Sequence, residues 1–153
     1  GRPDMSPSLF ASAILEDRPI DVFNQGKMQR DFTYIDDIAE GVARALDKVA
    51  EPDPSFDRDN PDAASSDAPY RIYNIGNHEP VALMTFIETI ESAIGKKAAK
   101  NMLPMQDGDV VATYADIEEL SRAVGFAPHT PLSAGVAKFA AWFKDYYGAR
   151  TAK

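Results

Sequence analysis

Apolar residues recur along this chain with two alternating periods, and the switches between them outline its elements. Leu9, Phe10, Ala13 and Ile14 lie at helical spacing behind Ser6-Pro7. That pairing predicts a helix with Ser6 as N-cap and Pro7 at the first helical position. The helix should end near Asp17, ahead of Pro19. Ile20 to Phe23 reads as a short strand, and Asn24-Gln25-Gly26-Lys27 as a turn. Arg30 to Ile35 reads as a second strand, rich in aromatic and β-branched residues. Asp36 or Asp37 is expected to cap the next helix, whose buried stripe would be Ile38, Val42, Ala45, Leu46 and Val49.

From Glu51 to Pro69 the pattern dissolves into Pro, Asp, Ser and Ala, too polar to offset the entropy of ordering, so an exposed loop is expected. Tyr70 to Ile75 predicts another strand, turned by Gly76-Asn77. Phe86, Ile87, Ile90 and Ile94 mark a helix closed by Gly95. A short extended piece near Met102-Leu103 follows. Asp116 should cap a helix running through Leu120 and Val124 to Gly125. Thr130-Pro131 opens the last helix, with Leu132, Val136, Phe139, Ala140, Phe143 and Tyr147 facing inward. Strands and helices alternate without a 20–50-residue repeat. The expectation is one compact α/β domain over residues 1–148, with a tail at 149–153 and strands too short for a large sheet.

Composition narrows the function classes. The 153 residues are 44% hydrophobic and 26% charged, ordinary for a globular domain able to bury a core. A net charge of −8 argues against bulk electrostatic binding of nucleic acid, which needs a basic face. A few placed Arg or Lys residues can still hold an anionic small ligand. The chain has no cysteine, which removes disulfides and thiolate metal sites, and His78 and His129 lack metal-ligand spacing. No apolar run approaches the ~20 residues that cross a bilayer, and Gly1 to Met5 is not a signal peptide. A cytoplasmic setting is expected, without membrane, nucleic acid or metal.

Candidate chemistry is sparse. No Gly-x-Gly-x-x-Gly run follows a strand, so a dinucleotide-binding turn is missing. None of the six tyrosines is followed four residues later by lysine, so no Tyr-x-x-x-Lys acid/base pair exists. No catalytic, cofactor-binding or metal-ligating residue is therefore assigned. The densest cluster runs from Gly26 to Asp37. There Lys27 and Arg30 can hold an anion, Arg30 in bidentate fashion; the competing reading pairs Arg30 with Asp31 or Asp36. In Met105-Gln106-Asp107-Gly108-Asp109, Gln106 can donate an amide hydrogen bond and Asp109 can accept from two sugar hydroxyls. The same residues also make an ordinary polar turn. Arg2 can read a carboxylate or simply be solvated. Asn74 and Asn77 suit turn geometry, and His78 and His129 read as surface and loop.

Taken in order, these clusters resemble the extended short-chain dehydrogenase/reductase family of NAD-dependent nucleotide-sugar epimerases and dehydratases. Gly26 to Asp37 fits its Gly-x-x-x-Arg-Asp-Phe-x-Tyr-[Ile/Val]-x-Asp signature. Tyr73-Asn74-Ile75-Gly76 matches its Tyr-Asn-Ile-Gly strand end. Gln106-Asp107-Gly108-Asp109 with Ala115-Asp116 matches the later Gln-x-Gly-Asp and Ala-Asp elements. The wording is closest to the UDP-glucuronate 4-epimerases of that family. Residues 1–5 (Gly-Arg-Pro-Asp-Met), 19–24 (Pro-Ile-Asp-Val-Phe-Asn) and 103–106 (Leu-Pro-Met-Gln) are typical of that group. So are Asp59-Asn60-Pro61-Asp62 and the Gly-Phe-x-Pro-x-Thr pattern at 125–130. The resemblance runs from Gly1 to about Gly148.

The resemblance implies a small C-terminal substrate-binding domain that lacks most of the Rossmann domain. Arg30 would contact the diphosphate of a UDP-sugar, and Asp109 would hold the ribose hydroxyls with Gln106 nearby. Val22, Phe23 and Asn24 would approach the uracil, partly through main-chain groups, and Arg2 would sit near the sugar carboxylate. In the whole enzyme, NAD would take hydride from C4 while a tyrosine removes the hydroxyl proton. The 4-keto intermediate would rotate and receive hydride on its other face, converting UDP-glucuronate to UDP-galacturonate. NAD and that tyrosine belong to an N-terminal half that these 153 residues do not contain, so the chain is expected to be inactive alone and to self-associate through the surface that half would cover. The alternatives are a non-catalytic nucleotide-sugar-binding module, or part of a UDP-galactose 4-epimerase or nucleotide-sugar 4,6-dehydratase.

Overall fold

The computed structural model describes residues 5–151, with side chains through Tyr147. Arg2 therefore lies outside the described residues. Helix α1 spans Ser6–Leu15. Its N-cap is Met5 and not Ser6: the Met5 carbonyl accepts from the Ser8 and Leu9 amides at 3.0 and 3.1 Å, and no side chain caps the end. Asp17 takes the left-handed conformation (φ 57°) just past the helix, and the Arg18 amide reaches back to the Ala13 carbonyl at 2.8 Å. That is the geometry glycine usually supplies.

Strand β1 is Ile20–Val22. It leads into a 3₁₀ turn over Phe23–Gly26, in which Asn24, Gln25 and Gly26 all have positive φ. A Cβ added to Gly26 would lie 2.8 Å from the Met84 sulfur. Strand β2 covers only Gln29–Asp31, shorter than the stretch to Ile35 expected from composition. Phe32 leaves the ladder to stack on Phe86, with ring centroids 4.2 Å apart, and helix α2 begins at Ile35 and ends at Leu46. Tyr34 is the N-cap of α2, so Asp36 and Asp37 fall in the first turn, where acidic groups favour the helix dipole.

Strand β3 (Pro80–Ala82) pairs antiparallel with β2, placing Arg30 opposite Val81. Helix α3 (Leu83–Ile94) ends as its sequence predicts, at Gly95 with φ 82°. Strand β4 (Lys100–Met102) pairs parallel with β1, Ile20 opposite Lys100. Helix α4 (Glu118–Val124) has Ile117 as N-cap. The Asp116 carboxylate accepts from the Glu118 amide at 3.0 Å, and Gly125 closes the helix with φ 63°. Helix α5 runs Leu132–Thr151.

The chain divides into two compact units. The first comprises residues 1–32, 80–113 and 130–153. Its core joins Phe10, Ala13 and Ile14 of α1, Ile20 and Val22 of β1, Phe86, Ile87 and Ile90 of α3, and Val136 of α5. Within it Glu91 is buried and receives hydrogen bonds from Lys100, Lys97 (2.8 Å) and the Ala98 amide (3.0 Å). Burial alone would raise its carboxyl, but those bonds outweigh it and hold the pKa at about 2.

The second unit comprises residues 33–79 and 114–129. Ile117 and Leu120 are buried in it. Gly41 lets α2 approach Ile75 and Phe126 closely: a Cβ there would meet Ile75 at 3.2 Å. Arg44 lies over the Phe126 ring at 5.0 Å. Two expectations change here. The stripe predicted to be buried on α2 is largely exposed, and Asp37 and Gly41 are the buried residues instead. Residues 70–75 form no strand; only an isolated bridge, Ser65 to Arg71, marks the stretch. A period-2 pattern makes a strand only where a neighbouring strand takes up its backbone groups.

Candidate functional site

The polar residues singled out in the sequence meet in the first unit, around Arg30. Its backbone is fixed by the β2–β3 pairing and by a further bridge between Gln29 and Ala112. The Gln29 amide donates to the Val111 carbonyl at 2.9 Å, and the Thr113 amide donates to the Gln29 carbonyl at 3.3 Å. This brings the segment after Asp109 alongside β2, across 79 residues of sequence. Arg30 Nη2 donates to Asp109 Oδ1 at 3.0 Å, while Nη1 donates to the carbonyls of Gln29 (2.8 Å) and Val111 (3.3 Å). The guanidinium is thus held by three acceptors. Its partner is Asp109, and not Asp31 or Asp36 as the competing reading of the sequence had it.

Asp109 sits at the end of a tight turn. Its amide donates to the Gln106 carbonyl at 3.2 Å, and Gly108 occupies the position with φ 80° that a type II turn reserves for glycine. Asp109 Oδ1 also accepts from the Val110 amide at 2.9 Å. The Arg30 and Asp109 side chains are 27% and 30% exposed, so the pair is open to a ligand on one side. Gln106, in the same turn, is exposed. Arg30, Gln106 and Asp109 are therefore brought together.

The expected uracil segment is arranged differently. The Val22 side chain is fully buried in the core, and its carbonyl accepts from the Leu103 amide at 2.9 Å. Asn24 spends its side-chain amide on the Lys27 carbonyl at 2.9 Å. Phe23 opens onto a cavity of about 530 Å³ lined by α1, residues 18–21 and the α5 residues Phe143 and Tyr147. Arg30, Gln106 and Asp109 are not among its lining residues. The walls of this cavity are mainly apolar, whereas the charged, solvent-open chemistry lies at the Arg30 turn.

Sequence reading missed one polar pair. In the second unit, His78 has φ 56° and sits between two acceptor–donor partners. Its Nδ1 lies 3.0 Å from the Ala115 carbonyl and its Nε2 lies 2.8 Å from the Tyr114 hydroxyl. Both ring nitrogens are thus engaged. No spacing in the sequence announces this contact, because it joins two loops 36 residues apart. Among the described residues no group of His, Cys, Asp and Glu can hold a metal ion, and no helix is long and apolar enough to cross a membrane.

Residues 1–76 match the model of the NAD dependent epimerase/dehydratase family. Over that stretch, about half of its length, the chain carries that family's pattern. It is 49% identical over 147 residues to Protein CapI of Staphylococcus aureus, and 46% identical over 151 residues to a probable UDP-glucuronate 4-epimerase of Rhizobium meliloti. Each match takes in 96% of this chain but only 44% and 43% of the relative. The chain therefore spans less than half the length of these relatives. Among solved structures, it is similar to the UDP-glucuronic acid 4-epimerase of Bacillus cereus in complex with UDP-glucuronic acid and NAD. That match has a TM-score of 0.76 and 31% identity, covering 95% of this chain and 41% of that one. The α/β architecture is thus that of part of an extended short-chain dehydrogenase/reductase.

Several solved relatives hold NAD. The residues present here do not fit that group. A dinucleotide's pyrophosphate needs clustered glycines between a strand and a helix. Among the described residues the positive-φ glycines, Gly26, Gly95, Gly108 and Gly125, stand singly in turns and at helix ends. No step through NAD is therefore derived from this chain's residues.

Proposed function

We propose that this chain is the nucleotide-sugar-binding part of a UDP-glucuronate 4-epimerase, binding the UDP moiety in its first unit and inactive without further polypeptide. The reading is supported above all by the meeting of Arg30 and Asp109, which puts a phosphate-seeking guanidinium beside a carboxylate suited to vicinal hydroxyls. The diphosphate sits on Arg30, whose planar fork suits phosphate oxygens. The ribose hydroxyls donate to Asp109, freed from its ion pair by the incoming anion, and Gln106 offers its exposed amide from the same turn. Phe23 and the Val22–Asn24 backbone lie on the uracil side. Arg2 is assigned to the sugar carboxylate.

This division of labour asks the chain only to bind and orient. Its cationic and acceptor groups remain on one rigid edge, so recognition is separated from proton and hydride chemistry. Titration of the chain with UDP in a calorimeter tests it. Affinity that falls on Arg30→Ala and on Asp109→Ala supports the site; binding that ignores both substitutions refutes it. Incubation with NAD and UDP-glucuronate should yield no UDP-galacturonate, and robust turnover would overturn the assigned inactivity.

A further inference from the structure

The polar turn that carries Gln106 and Asp109 is part of an arch, residues 104–110, with its two feet alongside the stretch from β1 to β2. At the first foot the Leu103 amide donates to the Val22 carbonyl at 2.9 Å, and the Gln25 amide donates to the Leu103 carbonyl at 3.0 Å. That foot continues the parallel β1–β4 pairing, which is three residue pairs long. The second foot is a single parallel bridge, Gln29 to Ala112. Asp109 stands beside this shorter foot, just ahead of Val110 and Val111. The placing of its carboxylate against Arg30 is therefore set by the weaker of the two anchors.

That second foot ends on a side chain. In a parallel ladder, a residue bonds through its amide and its carbonyl to the two residues that flank its partner. Gln29 does so, donating to the Val111 carbonyl at 2.9 Å and accepting from the Thr113 amide at 3.3 Å. One rung further, the Asp31 amide would take the Thr113 carbonyl. It donates instead to the Thr113 hydroxyl at 3.3 Å. The hydroxyl thus supplies the acceptor while the main chain turns away from β2: Thr113 closes its stretch of the first unit, and Tyr114 opens a stretch of the second. Thr113 is exposed, so its bonds to β2, and not burial, hold it in place.

In the free chain Arg30 is a further fastening of the same foot. Its Nη1 donates to the Val111 carbonyl at 3.3 Å and its Nη2 to Asp109 at 3.0 Å. A diphosphate draws those donors away. What then keeps the foot on β2 is the pair of backbone bonds at Gln29 and the Thr113 hydroxyl. We infer that Thr113 is a positioning residue for ribose recognition: its hydroxyl keeps Asp109 in register with β2 when Arg30 turns to the diphosphate. Thr113 itself does not touch the ligand; it spares the nucleotide the cost of ordering the arch. The inference rests on the proposed UDP site and adds to it a residue that acts only once Arg30 is engaged.

Calorimetry with UDP and with inorganic pyrophosphate, on Thr113→Val, Thr113→Ala and Thr113→Ser, tests it. Valine keeps the β-branched shape and alanine removes the most bulk; both lack the hydroxyl, whereas serine retains it. UDP should bind Thr113→Val and Thr113→Ala about 2–12-fold more weakly than the unaltered chain, the worth of one hydrogen bond. Pyrophosphate has no ribose and asks only for Arg30, so its affinity should stay level or rise. Thr113→Ser should bring UDP affinity back to within about twofold of the unaltered chain. Equal losses for both ligands would mean that the edge of β2 has come apart, and would overturn the positioning role. So would UDP affinity that ignores the missing hydroxyl, a loss confined to the valine variant, or a serine variant as weak as the alanine one. UDP binding that ignores Arg30→Ala and Asp109→Ala refutes the ligand site and this role with it. Binding that depends on both of those residues but not on the Thr113 hydroxyl overturns the role alone.

Discussion

Asp109 should act on phosphate and on nucleotide in opposite directions, because in the free chain it occupies the guanidinium that the diphosphate needs. The pair is 3.0 Å long and each side chain is more than a quarter exposed. An ion pair in that setting contributes ~0.2–1 kcal/mol net. Asp109→Ala releases Arg30 from it and removes a negative charge from the anion's path. Inorganic pyrophosphate, which has no ribose, should then bind about 2–5-fold more tightly, the equilibrium equivalent of ~0.4–1 kcal/mol. UDP gains the same release but loses its hydroxyl bonds to a carboxylate, ~1.5–3 kcal/mol, and should bind about 2–80-fold more weakly on balance. Isothermal calorimetry with both ligands, at one salt concentration, reads the two changes. Arg30→Ala serves as the reference that weakens both. The turn carrying Asp109 is kept by Gly108 and by the amide bond to Gln106, so the substitution leaves the scaffold in place. Pyrophosphate affinity that stays level or falls in Asp109→Ala would refute the reasoning, as would the two ligands moving together.

Acid stability should depend on Glu91. Its carboxyl is held at about 2 against an ordinary 4.5, so its contribution is complete above pH ~4.5 and fades as pH falls toward 2, amounting to ~3 kcal/mol in full. Urea midpoints measured at pH 6 and pH 3 check this: Glu91→Gln should lose most of its deficit at the lower pH, and a deficit that persists unchanged would contradict it. Gly26→Ala forces a left-handed φ of 76° on a residue with a Cβ. The cost is ~1–2 kcal/mol, or about 2–8 °C in a thermal scan. Ser12→Ala, on the half-buried side of α1, removes only solvent-facing bonds to Glu16 and Arg18 and should shift the same scan by less than 2 °C, a range set by the ~0.5 kcal/mol typical of surface changes.

How much of this could be read from residues alone divides along the line between local and partnered structure. Helix α3 and its stop at Gly95 were legible because Phe86, Ile87 and Ile90 specify a face and a lone glycine supplies the positive φ. Gly125 ended α4 for the same local reason. The turn at 24–27 was legible from its residue types, although three successive positive φ values were not. Asp17 closing α1 in a left-handed conformation was missed, since glycine is the usual signal there. Strand β3 gave no signal at all: three residues, one of them proline, become a strand only because β2 lies beside them.

The candidate site shows the same division. The residue types at Arg30, Gln106 and Asp109 announced an anion and hydroxyl chemistry, but which acid faces Arg30 depends on the bridge from Gln29 to Ala112, a contact 83 residues long in sequence. Nearby Asp31 and Asp36 were the natural partners by proximity along the chain, and strand geometry sends Arg30 elsewhere. On α2 the error runs deeper and is more informative. The hydrophobic period of Ile38, Val42, Ala45, Leu46 and Val49 correctly states that a helix has an apolar face, but it does not state what covers that face. The 70–75 segment likewise keeps its alternation without finding a partner strand. Both failures fall in one unit and on adjoining elements. A sequence pattern thus fixes which face of an element is apolar, while tertiary packing decides whether that face is covered.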